Sequence, residues 1–166
     1  DMLLPHTHRL DTHEIGTDEF VALCRYVGAQ PQITVALTHE DPHEAADWVE
    51  YCNGSVNTKW GALRAERGHP EPYNVKTWSI GNELYLSGKH TRAPEFVAQT
   101  NDAYVRAMKA ADPTIQTVLS SWVPDRSWND ALMAKKPLFD AYSHHDYLFD
   151  RLKQPKSEGD LARFVN

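Results

Sequence analysis

The residues best suited to chemistry are Asn82 and Glu83, which directly follow a stretch with the pattern of a β-strand. Residues 74–80 alternate between polar and apolar side chains and include β-branched and aromatic residues, which predicts a strand ending at Gly81. Barrel enzymes keep their catalytic groups at the carboxyl ends of strands. A Glu there can protonate a leaving oxygen, and a neighbouring Asn can hold a sugar hydroxyl. The pair predicts acid catalysis on a sugar. The alternative is that Glu83 is simply exposed at the end of a strand and has no catalytic role.

The composition limits the possible partners. The chain has 166 residues, enough for a hydrophobic core, and carries a formal net charge of -6. It has no concentrated basic patch, so we expect no nucleic-acid partner. It has no apolar run of the length that spans a bilayer, so we expect no membrane partner. No signal peptide is visible in this segment, which favours a cytoplasmic location. We expect no cofactor.

The histidines suggest a metal-dependent hydrolase as an alternative function. His6 and His8 form a possible ligand pair, and His144, His145 and Asp146 could supply further zinc ligands. However, the first pair does not follow an apolar strand, and the other strand ends where ligands are expected carry no Lys or His. We therefore expect no metal site.

Two helix starts are especially clear. Thr17 can cap a first helix, whose predicted apolar stripe consists of Phe20, Leu23, Cys24 and Val27. The second start is the run Asp41-Pro42-His43-Glu44, which combines a capping Asp, a Pro at the first helical position and a Glu two residues later. Further helices are predicted over residues 93–111 and 127–135.

The strands alternate with these helices along the chain. Strands are predicted over residues 32–37, 74–80, 116–121 and 141–145. The first is almost wholly apolar, which predicts burial on both faces, as in a parallel sheet. Alternation of helices and strands predicts parallel strands joined by right-handed crossovers. The expected fold class is α/β, with about four βα units of a (β/α)8 barrel, since a complete barrel needs about 250 residues.

Some aromatic and sulfur-containing residues have two interpretations. Trp60, Trp122 and Trp128 could stack on sugar rings or simply pack between helices and sheet. Trp60 lies in a connection over residues 55–73 that is long enough to suggest a functional loop. Cys24 and Cys52 fall on apolar helical faces and are expected to be buried thiols.

Several stretches together resemble the family 51 glycoside hydrolases, the α-L-arabinofuranosidases. They occur in the family's order and span about residues 13 to 147. The principal stretches are GTDEF at 16–20, WVEYCN at 48–53, GHPEPYNVK at 68–76, GNE at 81–83 and SHHDY at 143–147. The resemblance implies a retaining glycosidase on a (β/α)8 barrel, with residues 1–166 forming part of the catalytic domain.

The resemblance also implies roles for individual residues. Glu83, at the end of the fourth barrel strand, would be the general acid/base, and Asn82 would bind the 2-hydroxyl of the sugar. His145 and Tyr147, at the end of the sixth strand, would lie near the nucleophile and the substrate. His13 would line the sugar pocket at a position where the family usually has Asn.

The second carboxylate of a retaining mechanism is missing from this assignment. The resemblance implies a nucleophilic Glu on the seventh strand, whereas the sequence ends at Asn166, before that strand. Glu158 lies in a polar loop and is not assigned. We therefore expect flanking sequence or a second chain to supply the rest of the barrel, and a homo-oligomer is possible. Without the rest of the barrel, four strands should leave two open edges and an uncovered apolar layer.

The predicted substrate is an arabinose-containing oligosaccharide or plant polysaccharide. A xylosidase or endoglucanase of the same barrel type is the nearest alternative. A non-catalytic, sugar-binding half-barrel is the alternative from another functional class.

Overall fold

The computed structural model describes residues 2–4, 9–12, 14–37, 41–84, 92–120 and 126–145. Its elements follow the order β1 β2 α1 β3 α2 α3 β4 α4 β5 α5 β6. The strands are β1 Met2–Leu4, β2 Arg9–Asp11, β3 Gln32–Val35, β4 Thr77–Ile80, β5 Gln116–Ser120 and β6 Ala141–Ser143. The helices are α1 Thr17–Val27, α2 Pro42–Asn53, α3 Lys59–Glu66, α4 Pro94–Ala111 and α5 Arg126–Met133.

Strands β3, β4, β5 and β6 form one parallel sheet in that order. The predicted alternation of helices and strands is therefore confirmed from β3 onward. The strands β1 and β2 form a separate antiparallel pair, which the polar, aperiodic sequence near the amino terminus does not indicate. In the parallel sheet all carboxyl ends meet at one edge, so the residues that follow these strands lie near one another.

The core lies between the parallel sheet and its helices. The sheet contributes Trp78, Ile80 and Leu119, and the helices contribute Val49, Tyr104 and Met108, all fully buried. Because paired residues in neighbouring strands share a face, Ile33 and Val35 of β3 lie on this same side.

The other face of the sheet departs from the predicted burial. Gln32 and Thr34 of β3 are exposed, so this strand is buried on one face only. The neighbouring positions on that face include Ser79 and Ser120, which are small and polar. The apolar residues of β3 and β4 thus lie on the side that the helices cover, whereas Tyr142 of β6 is 58% exposed, so the expectation of an uncovered apolar layer stays a prediction.

Capping determines where α1 and α2 begin. At α2, the backbone N–H of His43 donates to Asp41 Oδ1 at 2.8 Å, and the Asp41 N–H donates to Glu44, as predicted. At α1 the cap is Gly16 rather than Thr17. The Thr17 hydroxyl instead accepts a hydrogen bond from the indole of Trp48, at 3.0 Å, and so ties α1 to α2.

The long connection between α2 and β4 contains α3 and is held by Arg64. Its side chain is completely buried, and its guanidinium donates to the carbonyl oxygens of Tyr51, Gly54, His69 and Pro70. Since α2 runs back from the carboxyl end of β3, this connection lies at the amino-terminal side of the strands, away from Glu83. Its contacts give it a structural role.

Candidate active site

The turn after β4 has an unusual backbone that depends on a glycine. Gly81 has φ +74°, and a Cβ at this position would lie 2.7 Å from Leu84 Cδ1 and 3.3 Å from Leu37 Cβ. Two residues later, Glu83 has φ +48°, which is uncommon for a residue with a side chain. Such backbone strain is concentrated at functional sites. The chain therefore makes a tight turn that only a glycine at position 81 allows, and this turn positions Glu83.

Glu83 and His145 meet at the carboxyl edge of the sheet. The Nδ1 atom of His145 lies 3.1 Å from Oε1 of Glu83, and the two side chains are 27% and 18% exposed, respectively. Glu83 follows β4 and His145 follows β6, with β5 between them, so their strands are about 10 Å apart. The two side chains close this gap above the end of β5. The structure thus brings together two of the predicted site residues.

Of the remaining predicted residues, some lie within the described ranges and others outside them. Asn82 is exposed on the same turn as Glu83. His144 is exposed while His145 is half-buried, in agreement with the expectation that only one of the two faces the site. His13 and Tyr147 lie outside the described residues.

Ser120, the last residue of β5, is a part of this edge that the sequence did not indicate. It lies in register with Ser143 and, by extension of the pairing of Ile80 with Leu119, opposite Gly81. It is 2% exposed, and its hydroxyl has no hydrogen-bond partner in the described structure. A lone Ser at the end of an apolar strand carries no chemical signature. Only the register of the strands places it between Glu83 and His145.

The other candidate residues are buried in the fold or lie outside the described residues. Trp128 is buried, and its indole N–H donates a hydrogen bond to the carbonyl oxygen of Arg92 at 2.9 Å, which indicates a structural role. Trp122 is outside the described residues. Cys24 and Cys52 are both free and buried, as predicted. Burial raises the pKa of the Cys52 thiol to about 12, so it stays protonated and inert.

The metal hypothesis gains no support from the described part of the chain. Among those residues, no group of three or more His, Cys, Asp or Glu side chains is arranged to hold a metal ion. His6, His8 and Asp146 lie outside them. Within the described ranges, no helix is both long and apolar enough to span a bilayer.

Comparison with known proteins gives consistent matches across most of the chain. The family model "Alpha-L-arabinofuranosidase 1 domain" matches residues 2–157. A probable alpha-L-arabinofuranosidase C from Aspergillus clavatus is 33% identical over 92% of this chain and 33% of its own length. An intracellular exo-alpha-(1->5)-L-arabinofuranosidase from Halalkalibacterium halodurans is 32% identical over 93% of this chain and 31% of its own.

A solved structure agrees with these matches. The alpha-L-arabinofuranosidase from Thermotoga maritima, determined as an arabinose complex, is 39% identical to this chain. It superimposes with a TM-score of 0.74 over 83% of this chain and 29% of its own length. The chain therefore corresponds to part of a (β/α)8 barrel and spans about a third of the length of the curated relatives that it matches. The resemblance to family 51 glycoside hydrolases is confirmed, and the chain belongs to the alpha-L-arabinofuranosidase 1 domain family.

Proposed function

We propose that this chain forms the acid/base half of the active site of a retaining α-L-arabinofuranosidase. The observation that carries the proposal is the contact between Glu83 and His145 at the carboxyl edge of the parallel sheet. Membership of an arabinofuranosidase family supports the same reaction. A carboxylate at the carboxyl edge of a parallel sheet is placed where a barrel glycosidase carries its general acid.

In the proposed mechanism Glu83 transfers a proton in each of two steps. It first protonates the glycosidic oxygen as the bond to the sugar breaks, while a second carboxylate forms the glycosyl-enzyme. It then removes a proton from the water that hydrolyses this intermediate. A retaining mechanism places the two carboxyl groups about 5 Å apart. The nucleophile comes from outside these 166 residues, in flanking sequence or a second chain.

His145 holds the carboxyl group of Glu83 in place for this exchange. Its Nδ1 can donate to the ionised carboxylate or accept from the protonated acid, depending on the tautomer of the ring. The contact can therefore persist in both protonation states of Glu83. Asn82 binds the 2-hydroxyl of the sugar, and Tyr147 and His13 complete its pocket.

The substrate is a terminal arabinofuranosyl residue on an oligosaccharide or a plant polysaccharide. The name of the Halalkalibacterium halodurans relative describes exo action on α-(1→5) linkages inside the cell. This supports short α-1,5-linked arabino-oligosaccharides as substrates and a cytoplasmic location for this protein.

The test compares Glu83 variants of the intact natural protein on two substrates. Glu83→Gln should lower kcat/KM for α-1,5-linked arabinobiose by about 10²- to 10⁴-fold, because the poor leaving group needs general acid catalysis. With a nitrophenyl arabinofuranoside, whose leaving group needs no proton, formation of the glycosyl-enzyme should be much less affected. Azide should then restore turnover by Glu83→Ala and give arabinosyl azide, since azide needs no general base. The control is Glu71→Gln, at an exposed Glu far from this edge.

Unchanged hydrolysis of arabinobiose by Glu83→Gln would overturn the acid/base assignment. A wild-type protein that hydrolyses xylosides or β-glucans in preference to arabinofuranosides would overturn the choice of substrate. Saccharide binding without hydrolysis by the wild-type protein would favour a non-catalytic half-barrel.

A further inference from the structure

A cleft lies among the helices α1, α2 and α3. Its volume is about 500 Å³, which falls within the range of small-molecule sites. Three aromatic residues, Trp48, Tyr51 and Trp60, line it together with the charged residues Glu44, Asp47 and Arg67.

This cleft is separate from the candidate active site. The ring of Trp48, in the cleft wall, packs edge-on against Trp78, with ring centroids 6.0 Å apart and an interplanar angle of 79°. Trp78 is fully buried on the side of the sheet that faces the helices. Glu83 and His145 are not among the residues that line the cleft. A ligand in the cleft would therefore contact helices and not the catalytic turn.

Two polar groups in the cleft wall have unmet bonding capacity. The indole N–H of Trp60 is buried and has no hydrogen-bond partner in the described structure. Asp47 is half-buried, and its carboxylate makes no hydrogen bond or ion pair with another described side chain or backbone group. The indole N–H of Trp48, by contrast, already donates to Thr17. The Trp60 N–H is enclosed, so a ligand in the cleft would meet the Asp47 carboxylate and the aromatic rings rather than this N–H. A ligand that donates hydrogen bonds would pair with that carboxylate.

The charges in the cleft indicate the chemical class of that ligand. Among the lining residues two carboxylates face one guanidinium, and the ammonium of Lys59 lies 4.2 Å from the centroid of the Trp60 ring. The charges around the cleft are therefore balanced, which favours a neutral ligand over an anion. Arg67 also contacts the ring of Tyr51, at 5.7 Å from its centroid, and so lies against the aromatic wall. Aromatic surface beside carboxylates that accept hydrogen bonds suits a neutral molecule with many hydroxyl groups and apolar C–H faces. We propose that this cleft binds a saccharide and is a second carbohydrate site on the flank of the barrel.

The choice of an arabinose-containing saccharide as its ligand rests on the proposed function, whereas the existence of the cleft does not. The experiment is calorimetric titration of the intact natural protein with α-1,5-linked arabinotriose, in a Glu83→Gln background to prevent hydrolysis. We expect two classes of binding site. Asp47→Ala should weaken one of them at least tenfold or abolish it, and Trp60→Ala should do the same. Glu66→Ala, at an exposed Glu on α3 outside the cleft, is the matched control and should leave both sites intact.

Circular dichroism checks the folding of each variant, and Asp47→Ala, which removes no core contact, decides the result if Trp60→Ala unfolds. Titration curves that are identical for Glu83→Gln alone and with Asp47→Ala would overturn the cleft proposal. A single binding site that Asp47→Ala abolishes would support the cleft while counting against sugar binding at Glu83. The failures of the two proposals are thus distinguishable.

Discussion

At the scale of single residues, the candidate site depends on a carboxylate whose backbone is in an unfavourable conformation. A positive φ at Glu83 costs roughly 1–3 kcal/mol, and the surrounding contacts must hold it. The Gly81 N–H donates to the Val35 carbonyl at 2.9 Å, which extends the pairing of β3 with β4 into the turn. Leu84, immediately after the strained residue, is buried. The turn is thus anchored on both sides of Glu83.

Ser120 offers a residue-scale prediction about stability. Its hydroxyl is buried without a partner, so Ser120→Ala should raise the free energy of unfolding by about 1 kcal/mol, because the desolvation cost disappears with the hydroxyl. The matched control is Ser79→Ala on the neighbouring strand, where the Ser79 hydroxyl accepts a 2.7 Å hydrogen bond from Gln32. This control should lower the free energy of unfolding by about 1 kcal/mol. Urea denaturation measures both. Equal losses in the two variants would mean that Ser120 has a partner, such as a bound water.

At the scale of elements, the helices keep their predicted period but not always the predicted face. In α1 the buried residues are Val21 and Cys24, whereas Leu23 and Val27 are 53% and 63% exposed. The predicted stripe was therefore partly wrong. Periodicity shows that a helix has an apolar side, but several overlapping stripes fit the same eleven residues. The element against which the helix packs decides which of them is buried.

Arg64 provides a prediction at the scale of the connection that contains α3. Arg64→Met should lower the free energy of unfolding by about 3–5 kcal/mol, because it leaves four carbonyl oxygens without their donor. Arg64→Lys should give a free energy of unfolding between those of the wild type and Arg64→Met, since an ammonium cannot reproduce the forked geometry of the guanidinium. The control is Arg67→Met, at an exposed side chain three residues away. Urea denaturation measures the free energy of unfolding of each variant. A value for Arg64→Met within about 1 kcal/mol of the wild type would show that Arg64 does not hold the connection.

At the scale of the whole molecule, exposed apolar side chains are concentrated at the two ends of the array of elements. Around α1, exposed residues include Ile15, Tyr26 and Val27, with Tyr26 89% exposed. Beside β6, they include Phe139 and Tyr142. The strands β3 and β6 are the outer strands of the described parallel sheet. Apolar surface beside the outer strands of the described sheet suits contact with further elements of a barrel.

A mass measurement tests this interpretation. We expect the intact mass of the natural gene product to be well above the 18.9 kDa of this chain, because the proposed mechanism needs a second carboxylate from another barrel strand. Native mass spectrometry extends the test to non-covalent assembly. A monomer of 18.9 kDa with arabinofuranosidase activity would contradict the proposal that the nucleophile lies outside these residues.

The sequence by itself determined the type and order of the main elements and the identity of the candidate acid. Caps such as Asp41-Pro42 and the alternation around Trp78 are local signals, and they depend on backbone chemistry within a few residues. The short GNE motif at 81–83 was likewise readable, because a Gly-dependent turn at a strand end has its own residue requirements.

Only the tertiary structure decided which residues meet at the site and which faces are buried. The contact between Glu83 and His145 joins residues 62 positions apart, and Ser120 lies between them only because β5 pairs with both of their strands. The cleft likewise needs three helices, α1, α2 and α3, to bring Thr17, Trp48 and Trp60 together. Such proximity arises from strand register and helix packing, which depend on the sum of many weak contacts across the chain. No local pattern of residue types encodes that sum, so these features could be seen only in the folded molecule.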